Sequence, residues 1–483
     1  MYRISEGDPL GLADVSEFIN LINEPPAKMR DLFDKNSDIL VTRAPGRLDV
    51  MGGIADYSGS LVLEMPIAEA TLAAIQKSDD HKIKIVSLHV GSKKSSVFEM
   101  KLADLVVKGQ PREYADVRDF FARNRHLHWA SYAAGVFFVL KRELGVSLTN
   151  GARILVSSRV PVGKGVSSSA ALEVVVMQAV CAAYDIDLDP CSLAILCQKV
   201  ENLIVGAACG VMDQITAHCG VENSLVSLLC QPAEIGEPVE LPNGLEFWGI
   251  DSGVRHAVAG SDYASVRVGA FMGYRIIADL AGLKSEQISN HLVKIEDTRW
   301  HGYLANVTTA EYELNFQSQM PDEISGKEFL QIYGGTTDTV TTIEPKRTYA
   351  VKAPAEHAIY ESSRVQAFAQ TLKSAANDRD LDALGELMFQ SHKSYAACGL
   401  TESKTDRIVE LIRENRDRGV FGARITGGGS GGTVAVLARR GSSEVVASIA
   451  DQFGRENGQK PYIFHGSSPG CASFGFLRLK YVP

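Results

Sequence analysis

The chain has 483 residues, more than one ordinary hydrophobic core organises, so two domains or one large two-lobed protein is expected. Hydrophobic residues make up 45% and charged residues 22%, the composition of a globular protein rather than a disordered one. With 49 basic and 58 acidic residues the net charge is −9, which argues against nucleic acid or an anionic membrane as the main partner. The start, Met1-Tyr2-Arg3-Ile4-Ser5-Glu6-Gly7, has no basic region followed by an apolar one, and no apolar run is long enough for a bilayer. The expected location is the cytoplasm. Of eight cysteines, six lie between Cys181 and Cys230 among alanines and leucines without a C-x-x-C spacing, and they read as reduced core thiols.

Up to about Asp38 the chain reads as a polar, helical lead-in broken by Pro25-Pro26. Short strands are expected at Ile39–Thr42, Leu61–Leu63, Thr71–Ile75, Ile83–Leu88 and Ser96–Met100, then a helix over His128–Leu140 and a strand over Arg153–Ser157. The helix beginning near Ser168 has almost no polar face and must be buried. A second helix runs from Cys191 to about Val205, followed by a strand at Leu225–Leu229. Pro232, Gly236, Pro238 and Pro242 place a lobe boundary near 231–243. Beyond it come a strand at Leu245–Ile250 and helices at Val266–Leu280, Glu356–Ala376, Asp382–Tyr395 and Lys404–Arg416. The strands Arg424–Thr426 and Thr433–Leu437 flank a glycine run. Strand-rich and helix-rich segments are segregated, which predicts an α+β fold, and no repeat of solenoid length is present.

Four features carry chemistry. In Pro161-Val162-Gly163-Lys164-Gly165-Val166-Ser167-Ser168-Ser169 two glycines and three hydroxyls open the buried helix. Glycine lets backbone N–H groups approach an anion, serines cap the helix, and the helix N-terminus adds partial positive charge, so the stretch reads as a phosphate cradle. It is not a Walker A loop, because Lys164 precedes Gly165; Lys164 itself reads as solvated. The run Gly427-Gly428-Gly429-Ser430-Gly431-Gly432 matches G-x-G-x-x-G formally, but a strand follows it instead of the helix a dinucleotide site needs. It is either a plain hairpin or a tight turn packed on the ligand of the first loop. Asp213 is either a helix cap or a general base paired with a cation such as Arg47. Glu201 is either an exposed helical glutamate or a Mg²⁺ ligand shared with a loop serine. His392 and His465 read as structural.

Together these stretches resemble the three motifs of the GHMP kinases. Ala44-Pro45-Gly46-Arg47 with Asp56-Tyr57 resembles the first, the serine loop through Glu173-Val174 the second, and Gly427–Gly432 the third. The galactokinase branch is the most similar, through Trp129-Ala130-Ser131-Tyr132, Glu201-Asn202, Gly210-Val211-Met212-Asp213-Gln214, Val254-Arg255-His256, Ser261-Asp262-Tyr263 and Ser391-His392. The resemblance covers about 40–483. It implies a two-lobed fold with the active site between an N-terminal domain at 39–235 and a C-terminal domain at 236–483, behind the lead-in at 1–38.

It further implies ATP-dependent phosphorylation of a sugar at its anomeric hydroxyl by a monomer or homodimer. Asp213 and Arg47 are the catalytic pair. Pro161, Gly163, Gly165, Val166, Ser167, Ser168, Ser169 and Trp129 bind ATP, Ser169 and Glu201 hold Mg²⁺, and Asp56, Gly53, Ile54, Tyr263 and Gly428 meet the sugar. One departure bears on the substrate. Galactokinases read G-E-H-x-D where this chain reads Gly52-Gly53-Ile54-Ala55-Asp56, and the missing glutamate is the family's partner for the sugar's C6 hydroxyl. A buried hydroxyl without a partner costs about 1–3 kcal/mol. L-Arabinopyranose has galactose's ring pattern without that arm, and the run is similar to that of plant-type L-arabinokinases. D-Galactose, D-galacturonate and a non-catalytic sugar sensor are the alternatives. Against the last, Ser169-Ala170, Asp213 and Arg47 are all present.

Overall fold

Thirteen consecutive buried residues, Ile39–Met51, form the strand on which the N-terminal lobe is built. The computed structural model describes residues 1–26, 29–89, 95–255 and 261–483. In chain order its N-terminal lobe contains β1 (Tyr2–Glu6), α1 (Ala13–Asn23), β2 (Ile39–Met51), β3 (Leu61–Ser78), β4 (Lys82–His89), β5 (Ser95–Lys101), α2 (Ala130–Leu144) and β6 (Gly151–Ser158). It continues with α3 (Ser168–Tyr184), α4 (Pro190–Lys199), α5 (Met212–Cys219) and β7 (Ser224–Leu229). The C-terminal lobe adds β8 (Leu245–Asp251), α6 (Ser261–Leu280), α7 (Lys352–Ser374), α8 (Asp378–Ala397), α9 (Ser403–Glu414), β9 (Val420–Ile425), β10 (Thr433–Arg439), α10 (Ser443–Asn457), β11 (Ile463–His465) and β12 (Leu477–Tyr481).

The larger sheet runs in the order β1-β12-β2-β3-β6-β4-β5, with β7 on the far end of β3. Its pairs are antiparallel except β4 with β6, whose long connection carries helices. The second sheet is antiparallel, in the order β9-β10-β8-β11. The α+β expectation holds. The two runs expected at Leu61–Leu63 and Thr71–Ile75 are one 18-residue strand, since Pro66 sits at a register shift and breaks only local pairing. The expected second helix is α4 followed by a π-helical turn over Val200–Val205.

The lead-in is not wholly helical. Tyr2–Glu6 alternates and pairs with β12, so the two ends of the chain share an edge of the N-terminal sheet, and α1 ends at Asn23 before the two prolines. The boundary drawn after residue 235 is therefore recrossed by the last strand. A shared core holds the lobes together. Leu48, Met65 and Ile67 of the first sheet pack with Phe368 of α7, Leu384 and Met388 of α8, and Leu437 of β10. All eight cysteines are free thiols, as their setting predicts. Among the described residues no helix is long and apolar enough to cross a membrane.

Candidate active site

Two connected hollows meet at the loop between β6 and α3. A groove of about 1120 Å³ is bounded by Trp129, Pro161, Ser168 and Ser169. A smaller pocket of about 330 Å³ is bounded by Gly163, Gly165, Val166, Ser167, Ser168, Ser169, Glu201, Arg47, Asp213, Asp56, Tyr263 and Gly428. Every residue that the sequence assigns to the site lines one hollow or the other, except Gly53 and Ile54.

The loop differs from its expected capping. Gly163 and Gly165 take φ of 75° and 71°, and Ser167 at the N-cap of α3 is left-handed with φ 59°, ψ 43°, a conformation that costs a non-glycine residue about 1–2 kcal/mol. Ser167 makes no side-chain cap, and its buried Oγ has no partner. The first turn of a 17-residue helix thus stays without a side-chain acceptor at its positive end, a setting for an anion.

Arg47 ties the motifs together. β2 is bulged between Pro45 and Arg47, which redirects the arginine, and Gly46 leaves room for the loop, since a Cβ there would lie 2.6 Å from the Val166 carbonyl. Arg47 Nε donates to Asp213 Oδ1 at 3.0 Å, Nη1 donates to the Gly165 carbonyl at 2.7 Å, and Glu64 Oε2 lies 3.2 Å from Nε. Asp213 is in the first turn of α5 and one-fifth exposed, so its carboxylate is paired on one side and open on the other. It is neither a plain cap nor an isolated buried charge. Glu64 is fully buried, and burial with the neighbouring Asp49 pushes its carboxyl well above the ordinary range.

Asp56 faces Asp213 across the pocket. It is buried, its Oδ1 has no partner, and a Cβ on Gly210 would fall 1.7 Å from its Oδ2, so only glycine fits there. Burial, reinforced by Asp213, raises its pKa to about 7. Behind it Arg267 is engaged, with Nε and Nη2 donating to Asp338 at 2.9 and 2.8 Å and Nη1 to the Cys209 carbonyl at 3.2 Å.

Glu201 is buried in the π-helical turn, not exposed as its helical setting suggested. Gln214 Nε2 donates to its Oε2 at 2.8 Å, and burial together with Asp213 raises its pKa to about 7, while the Ser169 hydroxyl, bonded to it, pulls the other way. Glu173, also buried, receives Gln214 Nε2 at 3.2 Å. Among the described residues no group of three or more His, Cys, Asp or Glu is placed to hold a metal. One carboxylate and one hydroxyl suit a hard cation that takes most of its ligands from phosphate oxygens and water.

Gly53 and Ile54 sit behind the pocket wall. A Cβ on Gly53 would fall 1.9 Å from Asp49 Oδ2 and 2.2 Å from Tyr395 Oη, and the Gly53 carbonyl lies 3.0 Å from His357 Nε2. Ile54 packs with Tyr263, Tyr395 and Leu400. For the glycine run 427–432 the hairpin reading holds. It is a hairpin between β9 and β10, and it packs on the loop: a Cβ on Gly427 would lie 3.1 Å from Arg47 Nη2, and Gly428 lines the pocket. Lys164 is not solvated but ion-paired with Asp251. His392 is structural as expected, with Nε2 3.0 Å from Asp406 Oδ1 and Nδ1 accepting the Ile425 N–H at 3.2 Å. His465 stacks on Trp248 at 3.7 Å. His256 lies outside the described residues.

The residues that the sequence did not single out are Glu64, Asp49, Tyr395 and Arg424. Arg424 Nη1 and Nη2 donate to Asp49 at 2.7 and 3.2 Å, with both side chains fully buried. Charges inside β-branched and aliphatic strands were the available signal for this set.

The site thus consists of a serine loop opening a helix, a glycine hairpin packed on it, and an Arg–Asp pair between them. Residues 131–221 match the GHMP kinases N terminal domain, 371–456 the GHMP kinases C terminal region, and 28–77 the galactokinase galactose-binding signature. The chain belongs to the GHMP kinase superfamily, on its galactokinase branch. It is 42% identical to the L-arabinokinase of Arabidopsis thaliana over 99% of this chain, which spans about half, 52%, of that protein's length. A galactokinase of Chloroflexus aggregans is 29% identical, with 85% of this chain and 86% of that protein covered. The crystal structure of Lactococcus lactis galactokinase complexed with galactose shares the fold at a TM-score of 0.71 and 20% identity, covering 94% of this chain and 99% of that one.

Proposed function

We propose that this chain transfers the terminal phosphoryl group of ATP to the anomeric hydroxyl of L-arabinose, giving L-arabinose 1-phosphate and ADP. The observation that carries the reading is the convergence of Asp213, Arg47, Asp56 and Tyr263 on one pocket continuous with the serine loop. Phosphoryl transfer needs positioning and charge stabilisation more than covalent chemistry, and this pocket supplies both. The loop and the first turn of α3 hold the phosphates, Trp129 and Pro161 border the groove for the base, and Asp56 and Tyr263 orient the ring. Asp213 accepts the proton of the anomeric hydroxyl, and Arg47 fixes its carboxylate and offsets the charge that develops on the oxygen. Ser169 and Glu201 would hold Mg²⁺, which would supply positive charge to the phosphates.

For the sugar, the support is the 42% identity to an L-arabinokinase and the absence of room at Gly53 for the carboxylate that meets a C6 hydroxyl in galactokinases. The engagement of Arg267 by Asp338 speaks against a uronic acid. A coupled ADP assay with L-arabinose, D-galactose and D-galacturonate side by side tests the assignment. The kcat/KM for L-arabinose should exceed that for D-galactose by roughly one to two orders of magnitude. A clear galactose preference defeats the pentose reading, and no turnover with any of the three defeats the kinase reading.

Asp56 adds a pH signature. Its folded pKa of about 7 lies above the ordinary value of 3.8, so the stability contributed by its protonation is present below 3.8 and is lost as pH rises through about 7. The ionised carboxylate is the better acceptor for a sugar hydroxyl, so affinity moves the other way. Sugar binding followed by calorimetry should strengthen roughly five- to tenfold between about pH 6 and about pH 8, and Asp56→Asn should flatten that dependence. An unchanged slope in the variant assigns the titration elsewhere.

A further inference from the structure

Lys164 stands between the two left-handed glycines of the phosphate loop, yet it borders neither hollow. Its ammonium turns away to the other lobe and pairs with Asp251, the last residue of β8. Asp251 is only 4% exposed, and its Oδ1 accepts the Gly253 N–H at 3.0 Å. A carboxylate this deep needs a counter-charge, and Lys164 supplies it.

The same stretch of loop is fastened at two adjoining points. Thr433 Oγ1, at the start of β10, donates to the Lys164 carbonyl at 2.8 Å, and Arg47 Nη1 donates to the Gly165 carbonyl at 2.7 Å. Gly432 closes the seam. A Cβ there would come within 2.8 Å of the Lys164 carbonyl, and its own N–H and carbonyl bond Val254 O and Ser252 N at 2.9 Å. A loop whose two glycines leave it free to adopt many shapes is thereby held in one shape, by Thr433 and Asp251 of the opposite lobe together with Arg47 of its own.

We propose that the Lys164–Asp251 pair is an interlobe latch, in which Lys164 is a positioning residue that fixes the phosphate loop and so sets nucleotide affinity without touching the nucleotide. The proposal rests on reading this loop as the ATP site. A lysine in a phosphate loop has an obvious competing role as a direct phosphate ligand, and the two roles differ in what Asp251 does. In a latch Asp251 is needed. For a direct ligand, Asp251 only competes with phosphate, and its removal leaves ATP binding intact or stronger.

The test is a double-mutant cycle on the full chain, with ATP binding measured by titration calorimetry. Lys164→Met and Asp251→Asn should each raise the Kd for ATP about tenfold, and the double variant should be no worse than either single one, the signature of a shared interaction. Lys164→Arg, which keeps the charge, should bind ATP nearly as the wild type does. Sugar affinity and kcat at saturating ATP should stay within about threefold of wild type, separating a binding effect from general damage. Should a single variant unfold, Lys164→Met combined with Asp251→Leu leaves no buried unpaired charge and must still show weakened ATP binding. Unchanged or tighter ATP binding in Asp251→Asn, or additive losses in the double variant, overturns the latch. A wild-type chain that binds no ATP instead overturns the reading of the loop.

Discussion

Asp213→Asn should lower kcat by about 10²- to 10⁴-fold while ATP affinity stays close to wild type, the loss expected when a positioned proton acceptor is removed from a transfer step. Asparagine keeps an oxygen for Arg47, whose Nε and Nη2 lie 3.0 and 2.8 Å from Oδ1, so the guanidinium retains an acceptor and the loop beyond it keeps its anchor at the Gly165 carbonyl. What disappears is the capacity to take a proton. Nucleotide affinity should survive because the groove residues Trp129, Pro161, Ser168 and Ser169 are on other elements. Turnover kinetics with ATP and L-arabinose, beside an ATP titration of the same preparation, separate the two quantities. Near-normal turnover removes Asp213 from its role.

Asp49→Ala should cost about 3–5 kcal/mol of stability, because it leaves Arg424 buried and unpaired. Both side chains are fully buried, the pair is joined by two hydrogen bonds, and Asp49 Oδ2 also accepts the Gly427 N–H at 3.0 Å. β2 belongs to the first lobe and β9 to the second, so the lost contact is also one that orients the glycine hairpin on the loop. Urea unfolding should show a lower midpoint at nearly unchanged slope. Replacing both partners by apolar residues, Asp49→Leu with Arg424→Met, should recover much of the loss, since no buried charge is then left alone. A single-variant loss under about 1 kcal/mol contradicts this account.

Much of the architecture was legible in the residues. The buried helix from Ser168 was marked by its lack of a polar face and the strand after the glycine run by its short apolar stretch, whereas the strand before it, expected at Arg424–Thr426, spans Val420–Ile425. The lead-in misled because Tyr2–Glu6 is too short a run to register, and what makes it a strand is a partner at the other end of the chain. The residues alone left Glu201 open between an exposed glutamate and a ligand because a helix position says nothing about which neighbour covers it, and Lys164 looked solvated because a loop lysine usually is.

Gly53 shows the same limit from the other side. Its type marks a lost carboxylate, but where that side chain would have gone depends on Tyr395, and Tyr395 Oη donates to the Gly427 carbonyl at 2.8 Å, in the volume a Cβ on Gly53 would enter. The residue types alone marked which groups are present: a glycine–serine loop, Arg47 and Asp213, and Asp56 and Tyr263. Tertiary structure settled the pairings, choosing Arg47 over a plain cap for Asp213 across 166 positions and joining Asp49 with Arg424 across 375 and Lys164 with Asp251 across 87, neither of which the sequence suggested. Residue types and short periods report backbone shape and burial along one segment. Charges are neutralised through space, and the packing of two lobes around a shared core selects which of them meet.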